Sequence, residues 1–217
     1  MQQLTQRVFA LSPPGGLFDG TVVRNLFPDL TRGARDQLVH RALRRREVLR
    51  LTDGRYCLAG PFRKTHPHPF IVAAFIRYPS HVSFESALAH HGLIPEAVQG
   101  VACACSQRSR VFDTPLGRFS YHRVPAADSL AGVVSVEIER GSWVFLATPL
   151  RAIADLVYLR KEVRWDRDGI GFLEESLRIE SHDLGQLSLD TLDEVCSSIR
   201  SRRTREFLTG LAKVVRS

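Results

Sequence analysis

The stretch TRGARDQLVHRALRRREVLRLTDGRYCLAG, residues 31–60, decides the fold of the N-terminal part of this chain. Thr31 suits a helix N-cap. After it, apolar residues recur at the spacing of one helix face: Ala34, Leu38, Val39, Ala42 and Leu43. The runs VLRL and RYCL then flank Asp53-Gly54, a dipeptide typical of tight hairpin turns. The stretch therefore predicts an amphipathic helix, extending to about Val48, with a β-hairpin directly after it.

Two shorter helices are predicted before this stretch. LTQRVFAL spaces Leu4, Val8 and Leu11 at helical intervals and ends at a Pro-Pro-Gly-Gly sequence. A second helix is expected to begin with Thr21 as its N-cap and to end before Pro28. Three helices followed by a hairpin is the order of a winged helix-turn-helix domain, in which the third helix enters the major groove of DNA and the hairpin touches the backbone.

The polar face of the third predicted helix carries side chains suited to DNA. Arg matches the acceptors of guanine and Gln can pair with adenine, while arginines beside the hairpin turn would meet phosphates. The candidate DNA-binding residues are Arg32 and Arg35 in the first turn, Gln37, His40, Arg41 and Arg44 opposite the apolar stripe, and Arg50 and Arg55 beside the turn. A solvated basic face, or a winged helix that binds protein, is the alternative.

The distribution of charge favours the DNA-binding interpretation. The net charge is +7. Residues 1–66 hold 12 Lys and Arg against 5 Asp and Glu; residues 67–196 hold 12 against 17; residues 197–217 hold 6 against 1. A basic block on a small N-terminal domain indicates a polyanionic partner, here double-stranded DNA.

Residues 61–69 are predicted to link a domain at 1–60 to a second domain at 70–217, because prolines and a glycine concentrate there. Period-two patterns predict strands in VACAC, RVFDTPLGRFSYHRV and VVSVEIERGSWVFLA. The predicted fold class is α+β: a winged helix-turn-helix domain followed by a mixed α/β domain with an antiparallel sheet and C-terminal helices.

Helices are expected on both sides of these strands. Ser83 suits an N-cap, and Thr148-Pro149 is a typical helix start. In the helix after Thr148, Arg151 and Asp155 are spaced to pair on the surface. The C-terminal third is predicted to be helical. It contains a basic cluster, formed by Arg200, Arg202, Arg203 and Arg205, that is either a solvated face or a patch for an acidic partner or flanking DNA.

No pattern indicates a catalytic site, a metal site or a cofactor. His90 and His91 point about 100° apart on a helix and cannot readily chelate one metal, so they are interpreted as structural. Cys103 and Cys105 are expected to pack inside a strand rather than to form a thiolate pair. The alternative class is a DNA-directed nuclease, for which the candidate acids are Asp113, Glu137, Glu139 and Asp155.

No apolar run approaches the roughly 18–20 residues of a membrane helix, and no secretory signal is evident. The four cysteines form no CxxC pair. We therefore expect a cytoplasmic protein that makes no membrane contact.

Four segments together resemble the AbiEi family of antitoxins and transcriptional regulators from bacterial type IV toxin–antitoxin systems. They are LRLTDGRYCLAG, SFESALAHHGLIPEAVQGV, RSRVFDTPLGRFSYHRV and ATPLRAIADLVYL, and the resemblance covers roughly residues 1–165. One position departs from the family pattern: Leu150 stands where a glutamate is usual, which we interpret as altering a surface or partner contact.

The resemblance implies a repressor that binds inverted repeats at its own promoter, as a monomer or as a cooperative dimer on DNA. It also implies a functional antagonist of a nucleotidyltransferase-type toxin that need not form a stable complex with it. A stand-alone winged-helix transcription factor without a toxin is equally compatible with the residues.

Overall fold

The structure, a computed structural model, describes residues 1–95 and 99–216. Its N-terminal part holds three helices and a three-stranded antiparallel sheet of order β1-β3-β2. The helices are α1 (Gln3–Leu11), α2 (Gly20–Leu26) and α3 (Arg32–Arg44), and the strands are β1 (Leu17–Asp19), β2 (Val48–Thr52) and β3 (Arg55–Leu58). The three predicted helices and the hairpin at Asp53-Gly54 are present, whereas β1 is an addition that the sequence did not suggest.

The helix ends follow local hydrogen bonding. The predicted cap of α2 is wrong: Asp19, not Thr21, is the N-cap, and its Oδ1 accepts the backbone N–H of Thr21 at 2.9 Å. A carboxylate there also complements the positive helix end. Thr31 caps α3 as predicted, with its Oγ1 accepting from the N–H of Ala34 at 3.3 Å. The helix ends at Arg44, earlier than expected, because Arg46 adopts φ 56° and turns the chain into β2.

The N-terminal sheet lies between two apolar cores. Side chains alternate across each strand, so Phe18, Tyr56 and Leu58 join a small core with α1, α2 and α3. Leu17, Leu51 and Cys57 point to the opposite face and belong to the large core of the rest of the chain. The N-terminal part is thus packed onto the second part through its sheet.

The segment predicted as a linker, residues 61–69, is packed at Pro67 and exposed over much of its length. Pro67 is buried. It lies against Gly15, where an added Cβ would come within 2.4 Å of the Cβ of Pro67. Gly15 also has φ +57°, a conformation that favours glycine. The next residue, His68, caps the following helix by accepting the N–H of Phe70 at Nδ1.

A six-stranded mixed sheet forms the centre of the second part, with strand order β6-β7-β5-β4-β9-β8. The strands are β4 (His81–Val82), β5 (Val101–Cys105), β6 (Arg110–Thr114), β7 (Gly117–Arg123), β8 (Val133–Glu139) and β9 (Ser142–Ala147). The antiparallel sheet predicted for this part is present in the pairs β4–β5, β6–β7 and β8–β9, whereas β5–β7 and β4–β9 are parallel, so the sheet is mixed. The chain crosses to the sheet edge as β6 before β7 returns beside β5.

Helices cover this sheet, so the fold is mixed α/β. They are α4 (Pro69–Ile76), α5 (Phe84–His90), α6 (Pro149–Leu159), α7 (Trp165–Asp168), α8 (Ser181–Gly185), α9 (Leu192–Ser198) and α10 (Arg202–Val215), with a π-helical turn at Phe172–Ser176. The helical C-terminal third is confirmed, although several of its helices are shorter than the predicted segments. Phe207, Leu208 and Leu211 anchor α10 in the large core.

Helix α6 is enclosed, which corrects two predictions. It packs against α5, α9, α10 and β9. Arg151 and Asp155 are therefore 1% and 0% exposed, and the expected surface pair is a buried one. Leu150 is also fully buried, so its side chain makes no surface or partner contact as the structure stands. Ser83 precedes α5 but makes no cap bond; its hydroxyl donates to Asp155 Oδ2 at 2.6 Å.

Candidate nucleic-acid interface

Helix α3 presents a polar face to solvent. Its apolar residues Leu38, Val39 and Ala42 are buried in the small core. Five of the eight predicted DNA-binding residues lie exposed on this helix: Arg32, Gln37, His40, Arg41 and Arg44. Arg41 is held along the helix axis, since its Nε donates to the Gln37 carbonyl at 3.3 Å. Gln37, His40, Arg41 and Arg44 place guanidinium, amide and imidazole groups on one open helix face, and Arg32 is exposed in the first turn.

Arg35 has a different position. It is half-buried, and its Nη1 donates to the Phe27 carbonyl at 3.2 Å. Phe27 is the C-cap residue of α2, and its carbonyl also accepts the N–H of Leu30, so Arg35 joins α2 to α3 through a carbonyl at the helix end. In this structure Arg35 contributes to the angle between the two helices rather than to the open face.

The two hairpin arginines face different surroundings. Arg50 is 54% exposed, with its guanidinium 3.8 Å from the carboxylate of Asp53 across the turn. Arg55 is half-buried and lies over the ring of Phe75 at 5.0 Å, next to α4. Arg50 is therefore open to solvent beside the turn, while Arg55 is directed towards the second part of the chain.

The first turn of α1 is fixed to the end of α3. Glu47 is buried, and its carboxylate accepts the backbone N–H of Gln2 at 2.7 Å. Burial opposes ionisation of Glu47, but the hydrogen bond from the Gln2 N–H and the positive charge of the Met1 amino group, 3.6 Å away, outweigh it, so the pKa of this carboxyl lies below its ordinary value. The pattern of the sequence did not single out Glu47, because its partner lies 45 residues away.

The predicted C-terminal patch is divided. Arg203 donates to the carbonyls of Tyr158, Arg160 and Val163 at the end of α6, and burial lowers its pKa. Arg205 donates to the carbonyl of Ile199 at 3.1 Å.

Of the other two residues of that cluster, Arg202 pairs with Glu206 at 2.7 Å and Arg200 is exposed. Arg200, Arg202 and Arg205 are thus exposed, whereas Arg203 is half-buried. Two of the four satisfy carbonyls of their own chain.

The four acids considered for a nuclease are not brought together. Asp113 lies on β6 and Glu137 on β8, the two opposite edges of the sheet. Asp155 is buried inside α6. Within residues 1–95 and 99–216, no three His, Cys, Asp or Glu side chains are grouped so that they could hold a metal ion.

The histidine pair has separate contacts. His91 Nε2 lies 2.9 Å from the Ala147 carbonyl and joins the end of α5 to β9, while the ring of His90 lies 5.5 Å from that of Phe70. Cys103 and Cys105 are buried, as predicted.

Two arginines that the sequence did not single out adjoin the hairpin. Arg77 and Arg110 line a cavity of about 510 Å³ together with Arg50 and Arg55. Arg110 begins the edge strand β6, which packs against β2, and Arg77 directly follows α4. A local sequence pattern therefore offered no signal for this grouping.

Compared with protein-family models and with curated proteins, the chain matches none. In the part of the chain that the structure describes, no helix is both long enough and apolar enough to cross a membrane.

Proposed function

We propose that residues 1–60 form a winged helix-turn-helix domain and that the protein is a DNA-binding transcriptional regulator without enzymatic activity. The single observation that carries the proposal is the open face of α3, where Arg41 and Arg44 accompany Gln37 and His40. A helix of this kind fits the major groove, where Arg and Gln side chains recognise base edges.

The contacts that hold α3 in place are consistent with binding in the major groove. Leu38, Val39 and Ala42 hold its opposite face in the small core, and the hairpin β2–β3 follows immediately. A rigidly seated helix loses little conformational freedom when it binds. The concentration of net positive charge in residues 1–66 supplies the attraction to the phosphate backbone.

Antagonism of a nucleotidyltransferase-type toxin is proposed on the AbiEi resemblance alone. Its test is co-expression with the product of the adjacent gene, with cell growth as the readout. Rescue of growth by this protein supports the antitoxin role. A harmless neighbour, or growth arrest that this protein does not relieve, favours a stand-alone regulator.

DNA binding is tested by fluorescence anisotropy on the duplex upstream of the protein's own gene, over a series of salt concentrations. The variant Arg41→Gln/Arg44→Gln should bind more weakly, and the slope of log K against log salt should become shallower by up to about 2, because each arginine that also neutralises a phosphate contributes about 0.9 to the slope. The matched control Arg140→Gln/Arg164→Gln removes two exposed arginines outside the candidate interfaces and should keep the wild-type slope.

Two results would contradict the proposal. One is a slope that the α3 variant and the control change equally. The other is Mg²⁺-dependent cleavage of plasmid DNA that is lost in Glu137→Gln, since this would make the protein a nuclease.

A further inference from the structure

A basic groove separates the hairpin from the second part of the chain. The cavity of about 510 Å³ is bounded by the β2–β3 hairpin, the end of α4 and the start of edge strand β6. We call it the arginine groove and define it by the polar side chains of Arg50, Arg55, Arg77, Gln107 and Arg110.

Positive charge in the groove is poorly compensated. Its one carboxylate is that of Asp53, fully exposed and 3.8 Å from Arg50. Among the described residues, no carboxylate lies within salt-bridge distance of Arg55, Arg77 or Arg110. Cations that share a cavity repel one another, and an anion bound between them is attracted to each of them, which offsets the repulsion.

The guanidinium groups are held in place without acids. Arg55 lies over Phe75 at 5.0 Å, Arg77 over Tyr121 at 5.6 Å and Arg110 over Phe112 at 4.8 Å. Stacking on rings orients a guanidinium and leaves its charge available to a ligand.

Hydrogen bonds fix Arg77 further. Its Nε donates to Gln107 Oε1 at 3.1 Å and its Nη2 to the Arg108 carbonyl at 2.7 Å. Both acceptors are neutral, so they orient the guanidinium without cancelling its charge. A site whose cations are already placed loses little freedom when it takes an anion.

We propose that the arginine groove binds a phosphate of the DNA backbone, so that Arg110 of the second part, with the positive charge of Arg77 in the same groove, holds the same duplex as α3. The inference rests on the proposed function. Arg50 and Arg55 flank the hairpin turn, the element that winged helices lay on the backbone, and the groove continues from that turn to β6. Guanidinium groups pair readily with phosphate oxygens. The footprint on DNA would therefore extend beyond residues 1–60.

The test measures binding of the full chain to the upstream duplex over a salt series. Arg110→Gln removes an exposed cation of the groove and should weaken binding by up to about tenfold at 0.1 M salt, with a slope shallower by about 1. Gln107→Glu keeps an acceptor for Arg77 while adding a negative charge to the groove, and it should also weaken binding. Arg140→Gln removes one exposed arginine near the opposite edge of the same sheet and is the matched control.

Thermal unfolding of each variant verifies that it is folded. If Arg110→Gln does not fold, Gln107→Glu alone tests the proposal. Affinities and slopes that match those of Arg140→Gln in both groove variants would overturn the proposal. Calorimetric titration with inorganic pyrophosphate tests whether the groove binds a soluble phosphorylated ligand instead of DNA. Pyrophosphate binding that Arg110→Gln abolishes, with DNA binding unchanged, would assign the groove to a soluble phosphorylated ligand and overturn the DNA assignment.

The two proposals fail in different ways. Binding that depends on Arg41 and Arg44 but not on Arg110 or Gln107 overturns the groove alone. A wild-type chain that binds no duplex overturns both.

Discussion

Arg151 and Asp155, one helical turn apart on α6, form an ion pair in which Nε donates to Oδ1 at 2.9 Å while both side chains are buried. The other carboxylate oxygen of Asp155 accepts from Ser83 Oγ at 2.6 Å and lies 3.3 Å from His81 Nε2. Arg151 also donates through Nη1 to the Ala131 carbonyl. One carboxylate thus joins α6 to β4 and to the start of α5, and satisfied polar clusters of this kind are sensitive to the loss of one member.

We expect Asp155→Asn to destabilise the protein strongly. The substitution preserves shape but leaves the buried guanidinium of Arg151 without its counter-charge, which typically costs about 3–5 kcal/mol. Urea unfolding of the full chain measures the free energy of unfolding. Glu206→Gln breaks the exposed pair with Arg202, also four residues apart, and should cost much less because exposed pairs contribute little. Equal losses in the two variants would contradict this account.

The same carboxylate predicts a loss of stability in acid. Burial opposes ionisation of Asp155, but the hydrogen bond from His81 and the charge of Arg151 outweigh it, so its pKa is lower in the folded protein than in the unfolded chain. A lowered carboxyl pKa stabilises the fold above the unfolded value, near 3.9, and this contribution disappears as the pH falls through the folded value. Unfolding free energies measured from pH 6 to pH 3 should therefore decline less steeply in Asp155→Asn than in the wild type. Parallel curves would show that Asp155 does not titrate in this way.

Two histidines predict a second pH effect at milder acidity. His122 packs edge-to-face against Phe84 at 5.3 Å, and burial lowers its pKa despite the nearby charge of Glu85. Burial likewise lowers the pKa of His68. A histidine pKa below the unfolded value near 6.5 means that protonation favours the unfolded chain, so stability falls as the pH drops from about 7 towards 5.

The variant His68→Gln/His122→Gln should retain more of its pH 7.5 stability at pH 5.5 than the wild type does. Urea unfolding at the two pH values provides the measurement, and NMR titration of the imidazole protons would locate each pKa directly. Imidazole pKa values at or above 6.5 for both residues would refute the prediction.

Gly210 of α10 tests the packing beneath the C-terminal helix. An added Cβ would lie 2.2 Å from the ring of Trp165, which packs edge-to-face on Phe207. Alanine is favoured over glycine in a helix by about 1 kcal/mol, but overpacking of a core costs about 1–3 kcal/mol. The cost of displacing the Trp165 ring should therefore exceed the gain in helix propensity. We expect Gly210→Ala to lower stability and to shift the emission of Trp165, measured in a Trp143→Phe background.

The control for this substitution is Gly33→Ala in α3, where an added Cβ meets no atom within 4 Å. The same change there should leave stability unchanged or raise it by up to about 1 kcal/mol. Stabilisation by both substitutions would show that Trp165 yields easily to the extra methyl group.

Some features set by neighbouring residues were predictable from the sequence, although the cap of α2 and the cap bond expected of Ser83 were not. The cap at Thr31 and the turn at Asp53-Gly54 depend on local hydrogen bonds and backbone preferences, and both are present. The parallel pairing of β5 with β7 was not predictable, because alternation identifies a strand but not its neighbour in the sheet.

The same distinction applies to the candidate interface. The open face of α3 follows from helical periodicity within one element. The contact of Arg55 with Phe75, the inward position of Arg203 and the grouping of Arg77 with Arg110 each depend on residues from separate elements. Spacing along the chain carried no information on these contacts.

Leu150 provides the most direct test of how α6 is placed. A glutamate in the first turn would gain about 0.3–1 kcal/mol from the positive helix end. Leu150 is fully buried, so Leu150→Glu would lose about 1.5–3 kcal/mol of apolar burial and would also place a carboxylate where no water reaches it. The losses exceed the gain, and we expect destabilisation of at least about 2 kcal/mol in urea unfolding. Leu130→Glu, at a leucine that is 50% exposed, is the matched control and should change stability little. A Leu150→Glu protein as stable as the wild type would mean that α6 opens at its first turn, and the carboxylate would then be free to meet a partner.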